Sequence, residues 1–227
     1  MSLFTGHDLI CIRGERVVFT GLTFTVRAGD AVLVVGPNGC GKSSFLRLAA
    51  GLLRPAAGTL AWEEADVWAD RESHHARVHY LGHHDAVKPV LTARENLMFW
   101  GRLGEQHGTP LHRRVDDALA RVGLDHLADL PGRFLSAGQK RRLNLARLLV
   151  VPAPLWLLDE PTTALDRETV AEVEAMLAEH RRHGGMVMIS THTDLRLTDP
   201  GYLQVADFAP ATPAADVLGL EAEDALI

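Results

Sequence analysis

Alternating apolar and polar positions predict antiparallel strands near the start of the chain. Apolar residues alternate with other residues at Ile10 and Ile12, again at Val17 and Phe19, and again over 22–26. This period of two is typical of strands with one buried face. The first part of the chain is therefore expected to form an antiparallel β unit.

Further along, short apolar runs without alternation are separated by segments of helical periodicity. Unbroken apolar runs are typical of strands buried on both faces of a parallel sheet. Such runs predict buried strands at 31–35, 155–158, 186–189 and 202–205. Further strands are predicted at 59–62 and 78–82, and helices at 43–50, 92–103, 112–122, 139–150 and 167–183. Strands 59–62 and 78–82 flank a segment that reads as a polar loop. The pattern predicts an α/β fold with a helical insertion over about 84–150.

Composition limits the classes of protein to consider. The chain has 227 residues, 47% of them hydrophobic, a net charge of −6 and a mean hydropathy of +0.02, which suits a single compact domain over 1–208. Residues 209–227 contain four acids and no Lys or Arg, so they are expected to form an acidic tail with one short helix.

The acidic balance of the chain argues against a nucleic-acid partner. No run of about 20 apolar residues and no signal peptide is found, so a cytoplasmic location is expected. Two cysteines without a CxxC motif argue against a disulfide framework.

A glycine-rich segment follows the predicted strand 31–35 and precedes a helix. It matches the phosphate-loop pattern G-x-x-x-x-G-K-[ST], with residues Gly36, Pro37, Asn38, Gly39, Cys40, Gly41, Lys42 and Ser43. Such a loop directs backbone N–H groups and a helix N-terminus at phosphate oxygens. Lys42 is expected to reach the β- and γ-phosphates of ATP, Ser43 to ligate Mg²⁺ and Ser44 to contact the α-phosphate.

The strand 155–158 ends in two acids, Asp159 and Glu160. A strand end beside a phosphate loop is where Mg²⁺ must be held, so Asp159 is the expected metal-side carboxylate. Glu160 is then placed to act as the general base for a water directed at the γ-phosphate.

Three further motifs complete an ordered series. Leu-Ser-Ala-Gly-Gln at 135–139 opens a helix, Ala-Leu-Asp at 164–166 follows Asp-Glu-Pro, and Thr-His stands at 191–192. This order resembles the ATP-binding cassette (ABC) ATPases over about residues 5–205. The resemblance implies a RecA-like phosphate-loop core, an N-terminal antiparallel β subdomain and an inserted helical subdomain.

The resemblance also implies a site shared between two copies of the chain. Residues Ser136, Gly138 and Gln139 would contact the nucleotide bound by the second copy, which makes a homodimer on ATP binding. Asp166 would link the two sites. His192 would sense the γ-phosphate and hold Glu160 and the water in place.

Two positions depart from the common family pattern. Where many cassettes have an aromatic residue that stacks on adenine, this chain has Arg13; a guanidinium can also stack on a ring, and a purely solvent-exposed role is the alternative. The usual magnesium-contacting glutamine is replaced by a histidine, with His83 and the adjacent His84 as the two candidates.

The same region is rich in histidine, which raises the question of metal or haem ligation. The residues are His74, His75, His79, His83 and His84. His79 and His83 lie four apart in a predicted strand, where the rise per residue separates them widely. Ligation by this cluster is therefore not expected.

Finer motifs resemble one subgroup of the family. Tyr-Leu-Gly-His at 80–83, Leu-Thr-Ala at 91–93 and Pro-Leu-Trp-Leu-Leu-Asp-Glu-Pro at 154–161 are similar to the ATP-binding subunit of the cytochrome c maturation system. This implies an ATPase at the cytoplasmic face of the cell membrane, bound to transmembrane permease subunits that handle haem. A partner helix would dock near the apolar residues 97–100. Alternatives are the ATPase of another importer or exporter, or a soluble ABC ATPase acting on nucleic acid or ribosomes.

Overall fold

A computed structural model describes residues 2–104 and 110–210 of the chain. Within these residues, no helix is both long enough and apolar enough to cross a membrane. The helix expected in the acidic tail falls in 211–227, outside the described residues.

The described residues contain two β-sheets and six α-helices. The strands are β1 (Leu3–Arg13), β2 (Arg16–Arg27), β3 (Ala31–Val35), β4 (Ala57–Trp62), β5 (Ala65–Asp66), β6 (Val78–Leu81), β7 (Leu155–Asp159), β8 (Met186–Ser190) and β9 (Gly201–Gln204). The helices are α1 (Lys42–Ala49), α2 (Arg71–Ala76), α3 (Ala93–Leu103), α4 (Leu111–Arg121), α5 (Ala137–Val150) and α6 (Arg167–Arg182). Three short 3₁₀ helices cover Asp125–Leu127, Gly132–Phe134 and Val205–Phe208.

The smaller sheet is antiparallel, with strand order β2-β1-β4-β5. β1 and β2 form a long hairpin whose register runs from Leu3 opposite Arg27 to Arg13 opposite Arg16. The predicted antiparallel N-terminal unit is confirmed. The apolar positions from Val17 to Val26 all belong to the single strand β2.

The larger sheet is parallel, with strand order β6-β7-β8-β3-β9. All five residues of β7 and of β8 are buried, which explains why their sequences show no alternation. Parallel strands end at a common edge, so the loop after β3 and the ends of β7 and β8 meet there. The phosphate loop and the Asp159–Glu160 pair are thereby brought to one place.

Side chains of β7 alternate between two hydrophobic cores. Leu155 and Leu157 pack with Phe45 of α1 and with the antiparallel sheet. Trp156 and Leu158 pack on the opposite face with residues of α5 and α6. The parallel sheet is therefore covered on both faces, as an α/β fold requires.

The helices α3, α4 and α5 share a third core of their own. Leu97 of α3, Val115 and Leu119 of α4, and Leu143 and Ala146 of α5 are all buried in it. Two of these helices begin with a complete capping box, at Thr92 and at Ser136. These local signals explain why the starts of α3 and α5 could be predicted from the sequence to within a few residues.

The segment between β4 and β6 differs from the expected polar loop. It contains the short strand β5 and the helix α2. The Asp70 side chain caps α2 by accepting a hydrogen bond of 3.0 Å from the Ser73 N–H. An Asp at this position is a local helix-start signal that the apolar pattern alone does not reveal.

Helix α2 carries a buried histidine that should make the protein acid-sensitive. His74 is 1% exposed; its Nδ1 accepts from Trp62 Nε1 at 2.9 Å, and its Nε2 donates to the Ala49 carbonyl at 3.1 Å. Burial lowers the pKa of His74 to about 4, whereas an unfolded histidine titrates near 6.5. The native state thus binds fewer protons, so stability is complete above about pH 6.5 and falls as the pH drops toward 4.

We expect His74 to lower the melting temperature of the wild type by about 1–4 °C per pH unit in this window, given a contribution of roughly 0.5–1 kcal/mol per unit. His74→Phe should show a lower melting temperature at pH 7.5, because the Trp62 N–H loses its acceptor, and a flatter dependence below pH 6.5. Thermal unfolding from pH 4.5 to 7.5 measures both. The exposed-site control His112→Gln should match the wild type, and an unchanged slope in His74→Phe would contradict the assignment.

Candidate functional site

The loop between β3 and α1 presents unsatisfied backbone donors. Gly41 precedes α1 with φ of 111°, and no side chain caps this helix. The first N–H groups of α1 are therefore available to an anion. A Cβ atom at Gly41 would lie 2.5 Å from Cγ1 of Val18, so both the backbone angle and the packing require glycine here.

Lys42 lies folded over this loop. It is 8% exposed, and its Nζ donates to the Gly36 carbonyl at 2.8 Å and to the Pro37 carbonyl at 3.2 Å. The loop's own carbonyls thus hold the ammonium group at the helix N-terminus. Backbone donors and a lysine in this arrangement bind the terminal phosphates of a nucleoside triphosphate.

Asp159 ends β7 with one carboxylate oxygen engaged and the other without a partner. It is 2% exposed. Its Oδ1 accepts a hydrogen bond of 2.6 Å from the hydroxyl of Ser190, which is fully buried. Its Oδ2 is buried and has no hydrogen-bond partner. A buried carboxylate oxygen left unpaired suits a hard divalent cation or its bound water, so the residues present fit Mg²⁺.

Glu160 is held next to Asp159 in an unusual backbone conformation. Its φ is 53°, a left-handed angle that non-glycine residues rarely adopt, and its N–H donates to the Ser190 carbonyl at 2.9 Å. The His192 N–H donates to Glu160 Oε2 at 3.3 Å, and His192 Nε2 lies 3.5 Å from Oε1. His192 therefore contacts both carboxylate oxygens of Glu160, a group that has the chemistry of a general base.

These groups line one cleft of about 610 Å³. Most of the residues predicted from the sequence face it: Arg13, Asn38, Gly39, Gly41, Lys42, Ser43, Ser44, His83, Asp159, Glu160 and His192. Gly36, Pro37 and Cys40 do not line the cleft but shape the loop behind it. A Cβ atom at Gly36 would lie 2.7 Å from the Cys40 sulfur.

Sequence reasoning missed several residues of this cleft. Arg16 and Arg47 line it, together with Val18 and Thr163. Arg16 is brought opposite Arg13 by the β1–β2 hairpin, so two guanidinium groups stand at the same end of the hairpin. Ser190 was missed because its partner Asp159 is 31 residues away. The alternation in the hairpin could have revealed Arg16, but nothing local marks Ser190.

The histidines of the 74–84 region are dispersed. His83 lines the cleft, and the ring of His84 packs against the His83 ring at a centroid distance of 5.5 Å. His79 bonds the Val151 carbonyl, and burial lowers its pKa. His74 lies in the core described above. Within 2–104 and 110–210, no three His, Cys, Asp or Glu side chains form a group that could hold a metal ion.

The remaining predicted site residues lie outside the cleft of their own chain. Ser136 and Gln139 form the capping box of α5, with hydrogen bonds of 2.8 and 3.2 Å. A Cβ atom at Gly138 would lie 3.1 Å from the Ala164 carbonyl oxygen. Asp166 caps α6 by accepting from the Thr169 N–H at 2.8 Å, and this bond lowers its pKa. The structure therefore does not bring these four residues to the phosphate loop of the same chain.

Comparison with known proteins identifies the family. The sequence profile of the ABC transporter family matches residues 19–163. The chain belongs to this family. Its ATPase relatives include the cytochrome c biogenesis ATP-binding export protein CcmA of Paramagnetospirillum magneticum, which is 57% identical over 92% of this chain and 97% of the relative. The CcmA protein of Rhodospirillum rubrum is 55% identical over 98% of this chain and 94% of the relative.

Solved structures of ABC proteins share the fold. An ABC transporter ATP-binding protein from Pyrococcus furiosus covers 92% of this chain and all of its own, with a TM-score of 0.78 and 24% identity. An ATP-binding subunit of another ABC transporter gives a TM-score of 0.82 over 97% of this chain and 95% of its own, at 22% identity. The expected RecA-like phosphate-loop fold is confirmed. The chain is a nucleotide-binding ABC ATPase.

Proposed function

We propose that this ATPase binds ATP together with Mg²⁺ in the cleft between the phosphate loop and the end of β7. The unpartnered, buried Oδ2 of Asp159 is the observation that carries the metal assignment. Ser43, Asp159 and His83 would hold the ion, directly or through water. An Mg²⁺ ion held there would supply positive charge to neutralise the phosphates. Lys42 and the loop N–H groups bind the phosphates, and Glu160 takes the proton of the attacking water.

We further propose that two copies of the chain complete each site. Ser136, Gly138, Gln139 and Asp166 carry family motifs but lie outside their own cleft. At the N-terminus of α5 the capping box occupies the N–H groups of Ser136 and Gln139, which leaves the N–H groups of Ala137 and Gly138 as the donors for an anion. A head-to-tail dimer would present it to the γ-phosphate held by the other copy.

The two CcmA relatives support a proposal for the process that this ATPase energises. A chain 57% identical to a cytochrome c biogenesis ATP-binding export protein is proposed to supply energy to the same process. It would bind transmembrane permease subunits at the cytoplasmic face of the membrane, and haem is the group that this complex would handle. On α3, Leu97 is buried, whereas Met98, Phe99 and Trp100 are partly exposed, so these three are the residues of the apolar run that a partner helix could contact.

We expect the wild-type chain to restore c-type cytochromes in a bacterium that lacks its own ATP-binding subunit of the cytochrome c maturation system. The Glu160→Gln chain, expressed to the same level, should not restore them, because assembly would depend on turnover. Haem staining of denaturing gels measures covalently bound haem. Gentle detergent isolation of the tagged chain should recover a membrane subunit. Failure of both restoration and co-isolation would contradict the proposed process.

A further inference from the structure

Arg141 on α5 makes an unusually complete set of hydrogen bonds. The residue is 3% exposed. Its Nε donates to the Pro161 carbonyl at 3.2 Å, and its Nη2 donates to the Asp159 carbonyl at 3.1 Å and to the Glu160 carbonyl. Its Nη1 donates to the Gly82 carbonyl at 3.2 Å and to Asp85 Oδ1 at 3.0 Å. One planar group thus satisfies four backbone carbonyls and one carboxylate.

The acceptors belong to two separate loops of the cleft. The carbonyls of Asp159, Glu160 and Pro161 belong to the turn after β7, which carries the proposed base. Gly82 and Asp85 flank His83 in the loop after β6, which also faces the cleft. Because a guanidinium is rigid and its donors have a fixed geometry, a movement of one loop changes the hydrogen bonds available to the other.

The turn after β7 needs such support. Glu160 has a left-handed φ of 53°, and such a conformation persists only when its surroundings impose it. Three consecutive carbonyls, those of Asp159, Glu160 and Pro161, accept hydrogen bonds from the buried Arg141 side chain. Without the guanidinium the Asp159 and Pro161 carbonyls would lose this donor, and the Glu160 carbonyl would keep only the Thr163 N–H at 3.3 Å, so the turn would relax toward other conformations.

Asp85 attaches the loop after β6 to helix α5. Its Oδ1 accepts from Arg141 and also from Asn144 Nδ2 at 3.4 Å, and its side chain is 23% exposed. The loop after β6 is therefore attached to two residues of α5, one turn apart. This attachment makes α5 the element through which the two loops are connected.

We propose that Arg141 is a positioning residue that holds the Glu160 turn in its hydrolytic conformation and couples it to the loop bearing His83. The inference rests on the proposed role of Glu160 as general base. Arg141 acts on turnover through the backbone of Glu160, not through contact with the nucleotide.

The test compares Arg141→Lys with the wild type. Lysine keeps the charge but cannot supply the guanidinium fork, so kcat for ATP hydrolysis should fall at least tenfold while KM changes less than threefold. Lys140→Gln removes a charge from the preceding position of the same helix and should keep wild-type kcat. An unchanged kcat in Arg141→Lys would overturn the proposal. The proposal would also be overturned if Arg141→Lys lost nucleotide affinity and thermal stability to an extent that explains the lower kcat.

A double-mutant cycle tests the coupling between the loops. Asp85→Ala should lower kcat in the wild-type background and have little further effect in Arg141→Lys, because the link is already broken. Independent, additive losses would overturn the coupling.

A third background separates this inference from the proposed function. Arg141→Lys should cause no further loss in a Glu160→Gln protein. If Glu160→Gln retains wild-type turnover, the assignment of Glu160 fails, and the inference fails with it. If Glu160→Gln is inactive and Arg141→Lys is fully active, only the inference fails.

Discussion

Glu160→Gln should bind ATP with near wild-type affinity but hydrolyse it about 10²–10⁴-fold more slowly, the range typical for loss of a general base. Glutamine has the shape of glutamate, and its amide oxygen can still accept the hydrogen bond that the His192 N–H donates at 3.3 Å. It cannot accept a proton from water at neutral pH. Phosphate release and equilibrium nucleotide binding measure the two effects separately.

The same variant should accumulate as a dimer in the presence of ATP. If Ser136 and Gly138 of one copy contact the γ-phosphate held by the other, blocking hydrolysis preserves the contact. Size-exclusion chromatography with light scattering, with and without ATP and Mg²⁺, measures the mass. The control Glu64→Gln makes the same chemical change at an exposed position and should behave like the wild type. A monomeric Glu160→Gln protein that turns over ATP at the wild-type rate would refute the shared-site mechanism.

Lys42→Ala should weaken nucleotide binding about 10–100-fold and reduce turnover at least as much. Hydrogen bonds to charged groups contribute roughly 1.5–3 kcal/mol, and each 1.4 kcal/mol corresponds to about a tenfold change in affinity. Lys42 also donates to the Gly36 and Pro37 carbonyls, so its removal loosens the loop that binds the phosphates. Titration with a fluorescent ATP analogue gives the dissociation constant.

Lys140→Ala is the control for this experiment, because Lys140 lies on α5 and does not line the cleft. Its affinity and turnover should equal those of the wild type. Retained ATP hydrolysis in Lys42→Ala would show that the phosphate-loop assignment is wrong.

By itself the sequence determined those features whose physical basis is local. The phosphate loop is one continuous segment from Gly36 to Ser43, because successive backbone N–H groups bind the phosphates. The starts of α3 and α5 were predictable because Thr92 and Ser136 cap helices whose first turns lie only three residues away. The strands β3, β7 and β8 were predictable from unbroken apolar runs, whereas the run at 202–205, predicted to be buried, forms the edge strand β9, in which Leu203 is buried and the other three residues are exposed. Family resemblance then assigned expected roles to single residues such as His192.

Only the tertiary structure decided which distant groups meet. Ser190 orients Asp159 from 31 residues away, and the Nη1 contact of Arg141 with Asp85 spans 56 residues. Of the two candidate histidines, it is His83 that lines the cleft, because the loop after β6 carries it there. Such contacts depend on the order of strands in the sheet and on the packing of α5 against the strand ends. Neither leaves a periodic signal in the sequence, since a single polar residue at a buried position looks the same whether its partner is near or far along the chain.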